Sequence, residues 1–312
     1  MIKTITEIPL PVMEKLCIRK QRIQNGTSSR RICIVTGVHG DELEGQYVCY
    51  LLEQKLAANL QLLDGIVDIY PAINPLGIDS ITRGIPSFDL DMNRVFPGNT
   101  SGSMTEYAAG CIMGDLLGAD LCIDIHASNI FLTEIPQVRI NEQHKQRLLP
   151  LAQALNTDFI WVYANSTVLE STLAYSLNCR GTDTLVVEMG VGMRITIEYS
   201  KQLLAGILNI LHEKGVYKGE VEAPRLPFIA DSADAVAFLN APAPGIFVKE
   251  KNHGTMLRAG ELLGEIVDPL NGTLIERICA PCAGLLITLR EYPVVNEGSL
   301  MGRILKQEYC GR

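Results

Sequence analysis

The chain predicts an α/β protein with a mixed, largely parallel central sheet flanked by helices, followed by an all-β C-terminal domain. Three observations carry this. Five short apolar runs rich in β-branched residues alternate with stretches long enough for helices. The runs are apolar throughout rather than in alternation, which is the pattern of strands covered on both faces. Around residue 220 the helical periodicity stops, and short proline- and glycine-punctuated strands take over. The expected units are residues 1–225 and 226–312.

In order, the strands are Ile32 to Thr36, Ile66 to Tyr70, Leu121 to Ile125, Phe159 to Tyr163 and Thr184 to Val187. Helices are expected over Glu42 to Leu56, Thr105 to Leu117, Gln143 to Leu155 and Ser200 to His212. The tail contains a repeat. Ala241-Pro-Ala-Pro-Gly245-Ile recurs as Ala280-Pro-Cys-Ala-Gly284-Leu, and Gly260-Glu-Leu-Leu-Gly264-Glu-Ile recurs as Gly298-Ser-Leu-Met-Gly302-Arg-Ile. Two copies of one β unit joined by Asp268-Pro-Leu-Asn-Gly272 suggest a quasi-symmetric sandwich that resembles the lipoyl/biotinyl barrel-sandwich. The joining turn holds no lysine, so a swinging-arm carrier role is not expected.

At 312 residues, 47% hydrophobic and 20% charged, the composition is that of a globular protein with a sizeable core. A net charge of -8 and a pI near 5.2 exclude binding to nucleic acid or an anionic membrane through a general basic field. A local basic pocket for a small acidic substrate stays open. The N-terminus MIKTITEIPLPVMEKLCIRK has no uninterrupted apolar core of a signal peptide, and runs such as LLAGILNIL are too short to span a bilayer. A cytoplasmic protein is expected. The nine cysteines are scattered and read as reduced thiols; Cys279 and Cys282 form an isolated CxxC with no second pair.

The stretch TGVHGDELEG, residues 36–45, puts His39 three positions ahead of Glu42. On the first turn of a helix such positions share a face, so an imidazole and a carboxylate could converge on one ion. Equally, Asp41, Glu42 and Glu44 suit the positive end of a helix. His126 closes the apolar strand LCIDI and, like His39, follows the carboxyl end of a strand, where open α/β sheets place their sites. Asp124, on the same strand face, could orient that imidazole or be structural. His144, His212 and His253 lie in polar stretches and read as solvated. Glu188 ends the strand TLVVEMG, where it could serve as a general base or form a salt bridge to Arg180 or Arg194. The loop ITRGIPSFDLDMNRVFPG, residues 81–98, carries Arg83, Asn93 and Arg94, groups that grip a carboxylate or polarise a carbonyl.

Together, G-V-H-G-D-E (37–42), A-I-N-P-L-G (72–77), D-M-N-R-V-F-P-G (91–98), D-I-H-A (124–127) and V-E-M-G (187–190) resemble the succinylglutamate desuccinylase/aspartoacylase family of the zinc carboxypeptidase superfamily. The pieces occur in the family's order across most of the first 200 residues, and the β tail resembles the family's C-terminal domain. The resemblance implies one zinc ion held by His39, Glu42 and His126, with Glu188 activating water. It further implies that Asn93 and Arg94 grip a substrate carboxylate and that Arg83 polarises the scissile carbonyl. Arg180 is a second carboxylate contact by a looser match, and Tyr292 the counterpart of a substrate-binding tyrosine by a looser one still. The expected reaction is hydrolysis of the amide bond of an N-acyl amino acid. A carboxypeptidase acting on short peptides and a non-catalytic binding protein on the same scaffold are the other readings. The acyl group, the amino acid and the oligomeric state, homo-oligomers included, are left open.

Overall fold

A computed structural model describes residues 1–86, 89–163, 170–232 and 234–311. Ser87 and Phe88 of the expected active-site loop lie outside the described residues. The elements are β1 (Ile2–Pro9), β2 (Lys15–Asn25), β3 (Arg31–Thr36), α1 (Glu44–Ala58), β4 (Gly65–Tyr70), α2 (Pro75–Ser80), α3 (Met104–Leu116), β5 (Leu121–Ala127) and β6 (Leu132–Asn141). Then come α4 (Lys145–Ala154), β7 (Phe159–Tyr163), α5 (Leu173–Asn178), β8 (Thr184–Gly190) and α6 (Ile197–Glu213). The C-terminal part is all strand: β9 (Phe228–Ala230), β10 (Val236–Asn240), β11 (Gly245–Lys249), β12 (Met256–Leu257), β13 (Leu262–Asp268), β14 (Thr273–Cys279), β15 (Gly284–Arg290), β16 (Val294–Val295) and β17 (Leu300–Lys306).

The main sheet runs β1-β2-β4-β3-β5-β8-β6-β15-β17-β10, with a parallel heart, β4-β3-β5-β8, and antiparallel flanks. Successive residues of a central strand face opposite layers. Ile32 and Ile34 join the cluster beneath α1, α4 and α6, whereas Cys33 and Val35 join the cluster beneath α3, α5 and the β1–β2 hairpin. Helix α1 buries Val48, Cys49, Leu52 and Leu56, a helical stripe, against this sheet.

Three strands of the main sheet, β1, β2 and β6, are not among those expected. The hairpin β1–β2 extends the sheet antiparallel to β4. Strand β6 lies between β8 and β15 and buries Thr133, Glu134 and Gln137, so it lacks an apolar signature. Its Pro136 sits where the β6–β8 register shifts between Glu134 and Gln137, a break that tolerates a residue without an N–H.

The repeated tail forms a sandwich. The sheet β14-β13-β11-β16 packs over β15, β17 and β10, with Phe247, Leu263 and Ile266 meeting Leu286, Met301 and Ile304. The repeat is visible in the backbone: Gly260 and Gly298, equivalent in the two copies, both turn at φ +79°, a region that favours glycine. The sandwich is not a separate body, because β15 hydrogen-bonds to β6 and so continues the main sheet. Among the described residues no helix is long and apolar enough to cross a membrane.

On the β2–β4 side, Asp68 is fully buried and accepts hydrogen bonds from Arg22 Nε (2.6 Å), Arg22 Nη2 (2.5 Å) and Lys20 Nζ (3.0 Å). Removing one partner of a buried ionic cluster strands the other charges. Asp68→Ala is therefore expected to cost about 3 kcal/mol, seen as a lower denaturation midpoint in urea at an unchanged m-value. A midpoint equal to wild type would remove the cluster from the stability of the sheet.

Candidate active site

The three expected metal ligands meet. Helix α1 starts at Glu44, so His39 and Glu42 converge across the turn that leaves β3, and not on a helical face as the spacing suggested. That turn is tight: a Cβ on Gly40 would lie 1.9 Å from the backbone carbon of Gly77. The Gly40 N–H donates to the Arg83 carbonyl (3.3 Å), and the Asn74 amide donates to the carbonyls of Val38 and Gly84 (both 3.3 Å), tying the three loops together. Glu44 begins the helix two residues later than expected, and its carboxylate also accepts from the Thr196 N–H (2.7 Å) and hydroxyl (2.8 Å).

The Glu42 carboxylate is shared. Its Oε1 lies 2.7 Å from His39 Nδ1 and accepts from Arg83 Nη1 (2.8 Å). Its Oε2 lies 2.9 Å from His126 Nδ1 and accepts from the Ala127 N–H (3.2 Å). All three residues are buried, and their ligand atoms fall within 4.8 Å of one another. Each imidazole presents Nδ1 to this centre and turns Nε2 to an outer carboxylate: His39 to Asp91 Oδ1 (3.0 Å), His126 to Asp124 Oδ2 (3.2 Å). This is the arrangement that fixes the tautomer of a metal-binding histidine. Burial alone would drive the Glu42 carboxyl up, but the two imidazoles hold it well below the usual carboxylate range. Burial would equally depress His126, yet Asp124 and Glu42 push it well above its ordinary value. A divalent cation among these groups would supply the positive charge that the carboxylates otherwise draw onto the rings. The donor set, two nitrogens and a carboxylate, suits zinc.

Glu188, at the carboxyl end of β8, is in parallel register with His126 of β5. Its ion-pair partner is neither Arg180 nor Arg194 but Arg139 of β6, whose Nη1 donates to Glu188 Oε1 (3.0 Å). Arg139 Nη2 also holds both oxygens of Glu134 (3.1 and 2.9 Å), which accepts from Thr288 and Arg303 of the C-terminal strands. Burial pushes the Glu188 carboxyl up, and Arg139 and His126 offset this only in part.

These groups open into one cavity of about 710 Å³, lined at this end by His39, Glu42, Arg83, Asn93, Arg94 and Glu188. The Asn93 Oδ1 accepts from the Leu173 N–H (2.9 Å), which anchors its loop to α5. Arg94 donates to the Asn93 carbonyl (2.8 Å) and not to a carboxylate, so its charge is available to a ligand. Arg180 is placed elsewhere. It is exposed, caps the end of α5 through the Ser176 carbonyl (3.1 Å) and does not line the cavity, so it is withdrawn as a substrate contact. Tyr292 packs edge-on against Phe131, which does line it. His144, read as solvated, is a lining residue.

Asp91, Glu134, Arg139 and Arg303 were not singled out beforehand. Asp91 stood in the quoted D-M-N-R motif; the other three depend on the β6 pairing, which carries no local signal.

Residues 28–213 match the model of the succinylglutamate desuccinylase/aspartoacylase catalytic domain. The chain is 26% identical over 238 residues to the N-alpha-acetyl-L-2,4-diaminobutyric acid deacetylase of Halomonas elongata, covering 74% of this chain and 69% of that one. The fold is similar to the succinylglutamate desuccinylase/aspartoacylase of Rhodobacter sphaeroides, with a TM-score of 0.81 and 25% identity, over 98% of this chain and 95% of that one. It is also similar to the ectoine utilization protein EutE of Ruegeria pomeroyi, with a TM-score of 0.81 and 22% identity, over 96% and 93%. With the family's catalytic model spanning more than half of its length, the chain belongs to the succinylglutamate desuccinylase/aspartoacylase family.

Proposed function

We propose that the protein is a cytoplasmic zinc-dependent amidohydrolase that cleaves the amide bond of N-acyl amino acids. The observation that carries this reading is that the buried His39–Glu42–His126 centre, the Glu188 carboxylate and the Arg83–Asn93–Arg94 loop face one cavity. In it, residues 1–225 are the catalytic unit, and residues 226–312 a β unit that closes one side.

His39, Glu42 and His126 would hold one zinc ion, which when bound supplies Lewis acidity to the carbonyl and to water. Glu188 takes a proton from the attacking water and returns it to the departing amine. Arg139 fixes the rotamer of Glu188 and offsets part of the upward push that burial gives its carboxyl. Arg83, beside the ligand carboxylate, donates to the oxygen on which charge develops. Asn93 and Arg94 orient the substrate through its carboxylate.

The reading over a peptidase is supported by the relative from Halomonas elongata, a deacetylase of an N-acetyl amino acid. The C-terminal strands add Arg303 of β17 to the cavity lining, and Arg290 stacks 5.0 Å over the cavity residue Phe131. The test is a hydrolysis screen of zinc-loaded protein over N-acetyl, N-succinyl and N-formyl amino acids, with dipeptides included. Turnover of N-acyl amino acids above dipeptides is expected. The reverse order would make the protein a peptidase, and no turnover of either would remove the enzyme reading.

A pH prediction follows from Arg139. Glu188 must be ionised to accept a proton, so activity rises with pH through its raised value. Arg139→Met removes the neighbour that pulls this value down, and the acidic limb of kcat/KM is expected to move to higher pH. An unmoved limb, measured on N-acetyl amino acids, would separate Arg139 from the base.

A further inference from the structure

The cavity does not end at the metal centre. On β8, Thr184, Val186 and Glu188 share one face, and all three line it. Strand β6 places Arg139 opposite Val186, and β7 places Trp161 and Tyr163 opposite Arg139 and Asn141. These residues form a continuous strip that runs back over the sheet, about 13 Å from Glu188 to Thr184 at the rise of a strand. Val186, Leu148, Ala174 and Trp161 give this arm an apolar wall, with Asn141, Tyr163 and Asn178 among its polar lining. A cavity of about 710 Å³ is the size that encloses a drug-sized ligand; an acetyl or succinyl group would leave most of it vacant.

The far end offers a donor: the hydroxyl of Tyr163, a lining residue at the end of β7, makes no hydrogen bond among the described residues. Each lining carboxylate already faces a cation or an imidazole: Glu42 faces Arg83, His39 and His126, Glu134 faces Arg139 and Arg303, Glu188 faces Arg139, and Asp124 faces His126 through Oδ2, with its Oδ1 fully enclosed. A cationic tip would find no free counter-charge, whereas an acceptor would take a hydrogen bond from the Tyr163 hydroxyl.

We propose that this arm recognises a long substituent of the substrate, apolar along its length and carrying a hydrogen-bond acceptor at its tip. The proposal rests on the hydrolase reading of the same site and names its substrate class. The substituent is either the acyl group or the amino-acid side chain, and two probes distinguish them.

Zinc-loaded wild type is assayed with N-acetylglycine, with para-acetylbenzoylglycine (a long acyl group) and with N-acetyl-para-acetylphenylalanine (a long side chain). Binding of the same probes to the zinc-loaded Glu188→Gln protein is followed by calorimetry. One long probe is expected to exceed N-acetylglycine by at least about tenfold in kcat/KM and in affinity, which identifies the source. Val186→Phe, which fills the arm, is expected to lower that ratio about tenfold. Tyr163→Phe, at the end of β7, is expected to abolish the preference for the acetyl tip over a matched ethyl tip. Equal or better use of N-acetylglycine, or ratios unmoved in both variants, would overturn the proposal. If no probe is turned over but the long probe binds and Val186→Phe weakens it, the hydrolase reading fails and the arm assignment stands.

Discussion

Glu188→Gln is expected to lower kcat/KM for N-acyl amino acid hydrolysis by about two to four orders of magnitude, the range assigned to a positioned general acid–base. At about 1.4 kcal/mol per decade this is roughly 3–5 kcal/mol of transition-state stabilisation. The substitution is nearly isosteric, and the amide oxygen can still accept from Arg139, so the side chain keeps its place. Arg139 in turn keeps Glu134 as a counter-charge, so no buried charge is left without a partner. Glu188 is not among the His39–Glu42–His126 donors, so the bound zinc should be unaffected. The informative pattern is thus full metal content and unchanged melting with activity lost. Full activity with zinc bound would remove Glu188 as the base. Loss of both metal and activity would instead make it part of the metal's support.

Why Glu188 was legible and Arg139 was not has a physical cause. A carboxylate after the apolar strand residues Leu185, Val186 and Val187 stands out because burying it is costly. The same holds for His126, a polar side chain at the end of LCIDI. The parallel heart of the sheet was readable for the same reason, since strands covered on both faces are written in apolar residues. Strand β6 is covered too, but by charge: Glu134 pairs with Arg139 of the same strand and with Arg303 of β17, distant in sequence. Nothing local in LTEIPQVRIN separates that network from a solvated loop, and Pro136 argues against a strand. The salt bridge of Glu188 exists, but its partner is Arg139 of β6 and neither Arg180 nor Arg194, and it holds the carboxylate that lines the cavity. Arg180 erred in the other direction. It sits close to β8 in sequence, but the end of α5 carries it to the surface. The tail repeat was readable because its turn glycines recur, whereas its union with the main sheet through β15 and β6 was not.

His126→Ala is expected to strip the metal centre. Each ligand imidazole contacts one oxygen of Glu42, so removing His126 leaves Glu42 Oε2 with only the Ala127 N–H and leaves a site of two donors. Zinc per chain after dialysis against a weak chelator should fall from about one to near zero, because three protein ligands are the working minimum of a catalytic site. The residue is buried at the centre of the sheet, so loss of metal through misfolding has to be separated from loss of a ligand. Asp91→Asn does this. Asp91 lies on the loop, touches His39 Nε2 and supplies nothing to the centre directly. Its neutral amide keeps the shape but weakens the pull on the ring, for which about 10- to 100-fold lower zinc affinity is expected. A purely structural His39–Glu42–His126 network predicts the opposite for both variants: unchanged zinc content, because none is specifically bound, and lower melting temperatures alone. A graded loss of zinc, partial in Asp91→Asn and complete in His126→Ala, arises only if both Nδ1 atoms face an ion, which is the orientation their outer carboxylates impose.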